Sequence, residues 1–243
     1  MKKEKKASRI KTGWYPEVPD KIYHWGNPYK DFLNNSGIKE FAKSPAHLKA
    51  SRAAGEGKKT PALLQGTVFH YESLGVPYGC LDFKPDQIEI ACSMADKLEE
   101  HSIANNILKQ ADKEVSGFFK DPDFQFWCKI RLDLKLSELG VIADLKSTAD
   151  ASAFKFRKDS FWFRYHWQAF WYLRGANAIE PGKYHSFIIV AQEKKEPYGI
   201  GVYKIGDELL SQAEKDIMPL LERYAKCVKS DTWEAYPEEI IEL

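Results

Sequence analysis

Arg131-Leu-Asp-Leu-Lys-Leu-Ser-Glu-Leu-Gly-Val-Ile-Ala-Asp-Leu-Lys146 decides how this chain is read. Apolar and polar residues alternate, break at Ser137–Gly140, and alternate again. A period of two marks a strand on each side, and Ser-Glu-Leu-Gly marks a tight reversal. A two-residue loop closed by Ser137 and Gly140 sets the pairing. Leu132 then faces Leu145, Leu134 faces Ala143 and Leu136 faces Val141, making one apolar face. On the other face Arg131 meets Lys146 and Asp133 meets Asp144. A slip of one residue would carry charges into the apolar layer, so the pattern itself argues for this register.

Two carboxylates placed opposite each other, with Cβ atoms about 4.5–5.5 Å apart, repel and weaken a sheet. A divalent cation offsets that repulsion, since Mg²⁺ is commonly held by one or two carboxylates plus phosphate oxygens. Lys146 lies two residues past Asp144 and so shares its face. An acid pair with a lysine can bind metal, orient water and stabilise a developing negative charge. The alternative on spacing alone is a solvated hairpin whose Arg131 and Lys146 neutralise the aspartates, a common and weak surface arrangement.

Asp133 followed by Asp144-Leu145-Lys146 resembles the signature of the PD-(D/E)XK nucleases. Within that superfamily four segments resemble the RecE-type exonucleases of bacteria and prophages, the exodeoxyribonuclease VIII nuclease domain. They are Gly66-Thr-Val-Phe-His70, Cys128-Lys-Ile-Arg-Leu-Asp133, Asp144-Leu-Lys-Ser-Thr148 and Tyr165-His-Trp-Gln168, in order between about Ser44 and Tyr203. One departure is Leu132, where the family usually has proline; in the register above it lies on the apolar face.

The resemblance implies an α/β fold with a PD-(D/E)XK, restriction-endonuclease-like core, a central mixed β-sheet flanked by helices. It implies Mg²⁺, or Mn²⁺, held by His70, Asp133, Asp144 and the Leu145 carbonyl. Lys146 would position the attacking water, and Gln168, with Tyr165 behind it, would support water or phosphate. It further implies 5′→3′ digestion of linear double-stranded DNA from its ends, leaving 3′ single-stranded tails for recombination in a phage setting. A ring-like homo-oligomer, a single-strand annealing protein as partner and the bacterial host cytosol complete that expectation. The alternatives are a structure-specific or nicking endonuclease on the same core, and a catalytically silent DNA-binding module.

The bulk composition sets limits. With 243 residues, 44% of them hydrophobic and 14% aromatic, the chain suits one domain with a substantial core. A net charge of +1 makes any nucleic-acid binding the work of a local patch. No apolar run approaches the roughly 20 residues that span a bilayer, and the charged Met1–Arg9 stretch leads into no apolar segment, unlike a secretory signal. Cys80, Cys92, Cys128 and Cys227 are scattered without a C-x-x-C, which argues against zinc or an iron–sulfur cluster and fits a reducing cytosol. The expected organisation is an N-terminal arm over residues 1–26 and a single nuclease domain over residues 27–243.

In that arm Trp14, Tyr15, Tyr23 and Trp25 either cover core or stack on bases. Asn27-Pro28 predicts a short helix ending near Asn35, and Ser44-Pro45 a second stopping near Gly55. The second carries Lys43, His47, Lys49 and Arg52, followed by Lys58 and Lys59. Lys49 and Arg52, like Arg131, are candidate phosphate contacts or members of a solvated basic face. Thr60-Pro61 opens a helix closed by Gly75. Gly66 inside it costs about 1 kcal/mol against alanine, which a close helix contact would explain. His70 lies one turn beyond Gly66 on the same face and taken alone reads more readily as a hydrogen-bonded structural histidine than as a ligand.

Residues 86–110 read as one long helix or two short ones. Glu114 to Phe119 reads as a strand, with a turn at Asp121-Pro122-Asp123, so that a three-strand meander leads into the hairpin. Glu114 points toward the metal or into water. Ser147 and Thr148 either bond a phosphate or cap the next helix. Residues 151–160, with Lys155, Arg157 and Lys158, form a short helix and loop at the site mouth. Phe161 to Arg174 reads as one helix ended by Gly175, its aromatics mostly core and Gln168 a buried amide in need of partners. Lys183–Gln192 and Tyr198–Ile205 are paired strands, the first buried on both faces. Residues 207–229 form a last amphipathic helix, and a tail carrying Trp233 and Tyr236 follows.

Overall fold

The structure, a computed structural model, describes residues 10–55, 57, 60–76, 83–240 and 242. In chain order its elements are β1 (Gly13–Tyr15), α1 (Asp20–Trp25), α2 (Asn35–Lys43), α3 (Pro45–Ala54), α4 (Pro61–Leu74), α5 (Pro85–Glu100), α6 (Ser102–Gln110) and β2 (Asp112–Lys120). There follow β3 (Trp127–Leu136), β4 (Val141–Thr148), α7 (Ala153–Trp162), α8 (Tyr165–Ile179), β5 (Ser186–Glu193), β6 (Ile200–Lys204) and α9 (Asp207–Ser230). The strands form one sheet in chain order. Neighbours are antiparallel except β4 and β5, which run parallel. A parallel pair needs a crossover, and α7 with α8 supplies it. The central mixed sheet flanked by helices is therefore the α/β core expected above.

Both faces of the sheet are buried. On one, Val68 and Phe69 of α4 and Met94 and Leu98 of α5 pack on Leu134, Ala143, Leu145 and Val190. On the other, Phe41, Leu48, Trp171, Ile217 and Leu221 pack on Ile130, Ile142 and Ile189.

Leu134 faces Ala143 and Leu136 faces Val141, as the pattern required. The reversal is wider than a two-residue loop. Pairing closes at Leu136–Val141, and Ser137–Leu139 form a 3₁₀ turn ending in Gly140 at φ +61°. A Cβ there would also meet the Lys183 carbonyl oxygen at 2.5 Å, so glycine is doubly required. The ladder also ends sooner than expected. Leu132 does not face Leu145 but joins Ile130 in the core beneath α8. The cause is Asp133, whose own carboxylate accepts the Leu145 N–H at 2.9 Å. A side chain takes the place of a backbone partner, and the strands part where the acids sit.

A second irregularity lies alongside. Lys113 pairs with Leu134 and Val115 with Leu132, while Glu114 between them has φ +53° and no ladder partner. Positive φ is uncommon outside glycine. Here it falls at the position that the register places opposite Asp133.

Helix capping follows the sequence closely. Ser44 and Thr60 accept N–H bonds as N-caps of α3 and α4, and Gly75 ends α4 in the left-handed region. Gly66 does sit at a close contact, but with a strand: its Cβ would lie 3.3 Å from Ser147 Oγ of β4.

Two expectations need correction, and one open alternative is decided. Asn27-Pro28 opens only a 3₁₀ turn, Tyr29–Asp31, and Asn34 caps the helix that follows. In the N-terminal segment the core-covering alternative is the one seen for Trp14 and Tyr23: β1 pairs with β2, Tyr23 is buried, and Trp14 Nε1 donates to Glu180 at 2.6 Å. Finally, Phe161–Arg174 is not one helix. The chain bends at Phe163–Arg164, with Arg164 at φ +55°, and leaves Phe161, Trp162 and Phe163 exposed. Gly175 does not end α8 but lies within it, where a Cβ would meet the Phe119 ring at 2.6 Å.

Lys58, Lys59, Cys80 and Met1–Arg9 lie outside the described residues. Among the described residues no helix is long and apolar enough to cross a membrane.

Candidate active site

The site forms where β3 and β4 part. β2 contributes Glu114, β3 Asp133, and β4 the run Asp144-Leu145-Lys146. α4 brings His70 from one side and the first turn of α8 brings Tyr165 and Gln168 from the other. The His70 Nε2–H donates to the Leu145 carbonyl at 2.9 Å, because that oxygen can only accept. This leaves Nδ1 facing Asp133 Oδ2 at 3.6 Å. His70, Glu114 and Asp133 each offer one ligand atom within 4.8 Å of the others. Asp144 is turned elsewhere. It is 2% exposed, its Oδ1 accepts the Gln168 amide at 2.5 Å, and its Oδ2 meets the Lys146 ammonium at 2.5 Å. The donors expected around one metal thus form two groups, joined by the Leu145 backbone.

Negative charge is concentrated here in a half-buried space. Burial, then the charge of Asp144, pushes the Asp133 carboxyl up to about 7, with Glu114 adding and His70 and Lys146 opposing. Burial likewise raises Glu114, against His70 and Arg131. Burial alone would lower Lys146, but Asp144 and Asp133 hold it above the ordinary lysine range, so its ammonium stays charged. Tyr165 is raised by burial, and its ring lies 5.1 Å from Lys146 Nζ. An imidazole nitrogen, two under-neutralised carboxylates and a backbone carbonyl suit a divalent cation. The residues present therefore fit such an ion.

The remaining sequence candidates are occupied in other ways. Arg131 donates to Ser116, to the Val18 carbonyl and to Asp20, and covers the Tyr23 ring at 4.2 Å, instead of facing Lys146. Lys49 meets Asp231 at 3.6 Å beside Trp233, and Arg52 donates to the Tyr224 hydroxyl at 3.2 Å. Thr148 turns its hydroxyl to the Asp150 backbone, a local turn bond. Ser147 lies against Gly66.

Two neighbours escaped sequence reasoning. Lys39 of α2 donates to the Phe163 carbonyl at 2.7 Å. Burial, then the charges of Lys146 and Arg164, lowers it to about 8. Tyr172 bonds Gln168 and is held far above the usual phenol range by burial, with Tyr23, Asp144 and Asp133 adding. Tyr172 had a signal, the i, i+4 spacing from Gln168. Lys39 had none, being brought in by tertiary packing.

A mixed sheet whose parted hairpin gathers two aspartates and a lysine, with a histidine from one flanking helix and a glutamine from another, defines a PD-(D/E)XK-type nuclease core. Residues 77–242 match the family described as a PDDEXK-like domain of unknown function (DUF3799), and the chain belongs to it. Gly66 and His70 precede the matched segment. No curated protein matches the chain. Among solved structures, a candidate exonuclease from Eubacterium rectale overlays at a TM-score of 0.70 with 18% identity, over 88% of this chain and 87% of its own. At that identity the likeness is one of fold. A second, SSO0001, overlays at 0.33 with 16% identity, over 76% of this chain and 85% of its own, too loosely to carry argument.

Proposed function

We propose that the protein is a metal-dependent deoxyribonuclease that digests linear double-stranded DNA exonucleolytically, 5′→3′, leaving 3′ single-stranded tails. The observation that carries the nuclease reading is the parting of β3 from β4. It sets Asp133 beside His70 and Glu114 while Asp144 engages Lys146 and Gln168. Mg²⁺ or Mn²⁺, when bound, would polarise the scissile phosphate and acidify a water. His70, Asp133 and Glu114 would hold it, with the Leu145 carbonyl beside them and Asp144 joining once a cation competes with Lys146. Lys146, kept charged by Asp144, would donate to the phosphate oxygens as negative charge grows there. Gln168 fixes the Asp144 carboxylate, and Tyr165 covers Lys146 and narrows its reach.

Polarity, a ring-like homo-oligomer, a single-strand annealing partner, a recombination role and the bacterial cytosol rest on the resemblance to RecE-type exonucleases. The test compares linear and covalently closed DNA in Mg²⁺, Mn²⁺ and EDTA, with strand-specific end labels. The expected result is metal-dependent loss of linear duplex from labelled 5′ ends, closed circles intact, and no cleavage by Asp144→Ala with an unchanged circular dichroism spectrum. Cut circles would make it an endonuclease. Binding without cleavage in any metal would make it a silent module.

A further inference from the structure

The solvent side of α7 is built the wrong way round for an ordinary surface helix. Phe156 and Ser160, one turn apart, face the body and are buried. The opposite stripe, where polar residues belong, carries Phe154, Lys158 and Phe161 at helical spacing, with Trp162 at its edge. Phe154 is 74% exposed, Phe161 64%, Trp162 81% and Phe163, at the bend, 51%. Large aromatics gathered in one exposed patch mark a contact surface.

Cations are interleaved with these rings. Lys155, Arg157, Lys158 and Arg164 are exposed over the same stretch, against the single carboxylate of Asp159, which pairs with Lys155. Lys158 Nζ lies 4.2 Å from the centre of the Phe154 ring. A partner suited to this surface is anionic and has flat π faces.

The patch is also continuous with the active site. Phe163 stacks on Tyr165 with centroids 5.9 Å apart, and the Tyr165 ring lies beneath Lys146. Lys39 ties down the bend by donating to the Phe163 carbonyl. Phe161 stacks on the buried His166 at 5.4 Å. Phe161 and Phe163 are thereby held against the start of α8, and the second contact leads through Tyr165 to Lys146.

We infer that the α7 stripe and the α7–α8 bend form a stacking track for the unpaired bases of a DNA strand at the active site. This rests on the nuclease reading and adds to it a mode of engagement: the rings hold bases that have left the duplex, and the cations follow the phosphates. Base–aromatic stacking tolerates every sequence because each base has a π face.

The test measures binding in EDTA, where nothing is cut, by fluorescence anisotropy. Three labelled probes are used: a duplex with a single-stranded oligothymidylate tail, the same duplex with an abasic tail, and a blunt duplex. Removing one stacking ring is expected to weaken the base-bearing tail about tenfold. Trp162→Ala should show that loss, Phe154→Ala with Trp162→Ala a larger one, and Trp162→Phe little. The abasic and blunt probes should bind all variants equally, and the base-bearing tail alone should quench the tryptophan fluorescence of wild type more than that of Trp162→Phe. Equal loss on the abasic tail, or no loss on any probe, overturns the proposal. So does an assembly of the native protein that Trp162→Ala dissociates without changing DNA affinity, since the rings would then join copies of this chain. Wild-type protein that stacks bases but cuts no DNA in Mg²⁺ would sink the nuclease reading and leave the track standing.

Discussion

Asp133→Asn should make the metal-free protein more stable while removing its response to metal. Asp133 sits in a half-buried pocket beside Glu114, with Asp144 close behind, and its carboxyl rises from an ordinary 3.8 to about 7. A tenfold change in proton affinity corresponds to about 1.36 kcal/mol, so the ionised side chain destabilises the metal-free fold by up to about 4 kcal/mol at pH 8. Asparagine removes the charge and keeps an oxygen to accept the Leu145 N–H. For a domain of this size one kcal/mol moves Tm by about 2–4 °C, so the variant should melt several degrees above wild type in EDTA at pH 8. The direction with pH follows from proton binding. Between pH about 4 and 7 the folded state holds this proton and the unfolded state has lost it, so wild-type stability falls as pH rises through that window. The gap between variant and wild type should therefore be small near pH about 4.5 and full above pH about 7. Mg²⁺ or Mn²⁺ should raise the Tm of wild type and leave Asp133→Asn unmoved. Differential scanning fluorimetry across pH, with and without metal, measures all of this. A variant that melts at or below wild type at pH 8 in EDTA would refute the idea that burial and neighbouring charge make the ionised Asp133 costly.

Other outcomes follow from the same geometry. Lys146→Met should lower cleavage about 10²–10³-fold while the Tm shift on adding Mg²⁺ persists; loss of both would make Lys146 a structural partner of Asp144. Gly175→Ala would drive a methyl into the Phe119 ring and should destabilise by about 1–3 kcal/mol, with a neutral result in urea denaturation arguing against that contact. Glu180 ties β1 to the end of α8. Burial would raise its carboxyl, but bonds from Lys183, Trp14 and Tyr184 hold it at about 2. Glu180→Gln should therefore be less stable than wild type by about 1–2 kcal/mol, allowing for solvent screening. That deficit should be full above pH about 4.5 and shrink as pH falls toward 2; a deficit constant with pH would assign it to packing.

Asp133, Asp144 and Lys146 could be picked out as candidates in the chain because they are locally marked. Asp133 and the Asp144-Leu145-Lys146 run stand out from a strict alternation, and the predicted register of Leu134–Ala143 and Leu136–Val141 is the observed one. Helix limits at Ser44, Thr60 and Gly75 were legible for the same reason, since capping is a short-range matter of hydrogen bonds and allowed φ. Phe161–Arg174 was misread because an unbroken run of aromatics looks buried on every side. The bend at Arg164, φ +55°, turns three of them outward.

The sequence by itself determined a hairpin with an acid pair and a lysine, helices around it, and so the sheet-and-helix class of the fold. Only the tertiary structure decided that Asp133 replaces a backbone partner of Leu145, that Glu114 lies beside Asp133, that Arg131 is drawn away to Asp20, and that Lys39 reaches the site from α2. The division has a physical origin. Alternation and capping are set by neighbours a few residues apart. Where two strands part, and which charges then share one half-buried space, depends on segments that meet only when the whole chain has packed.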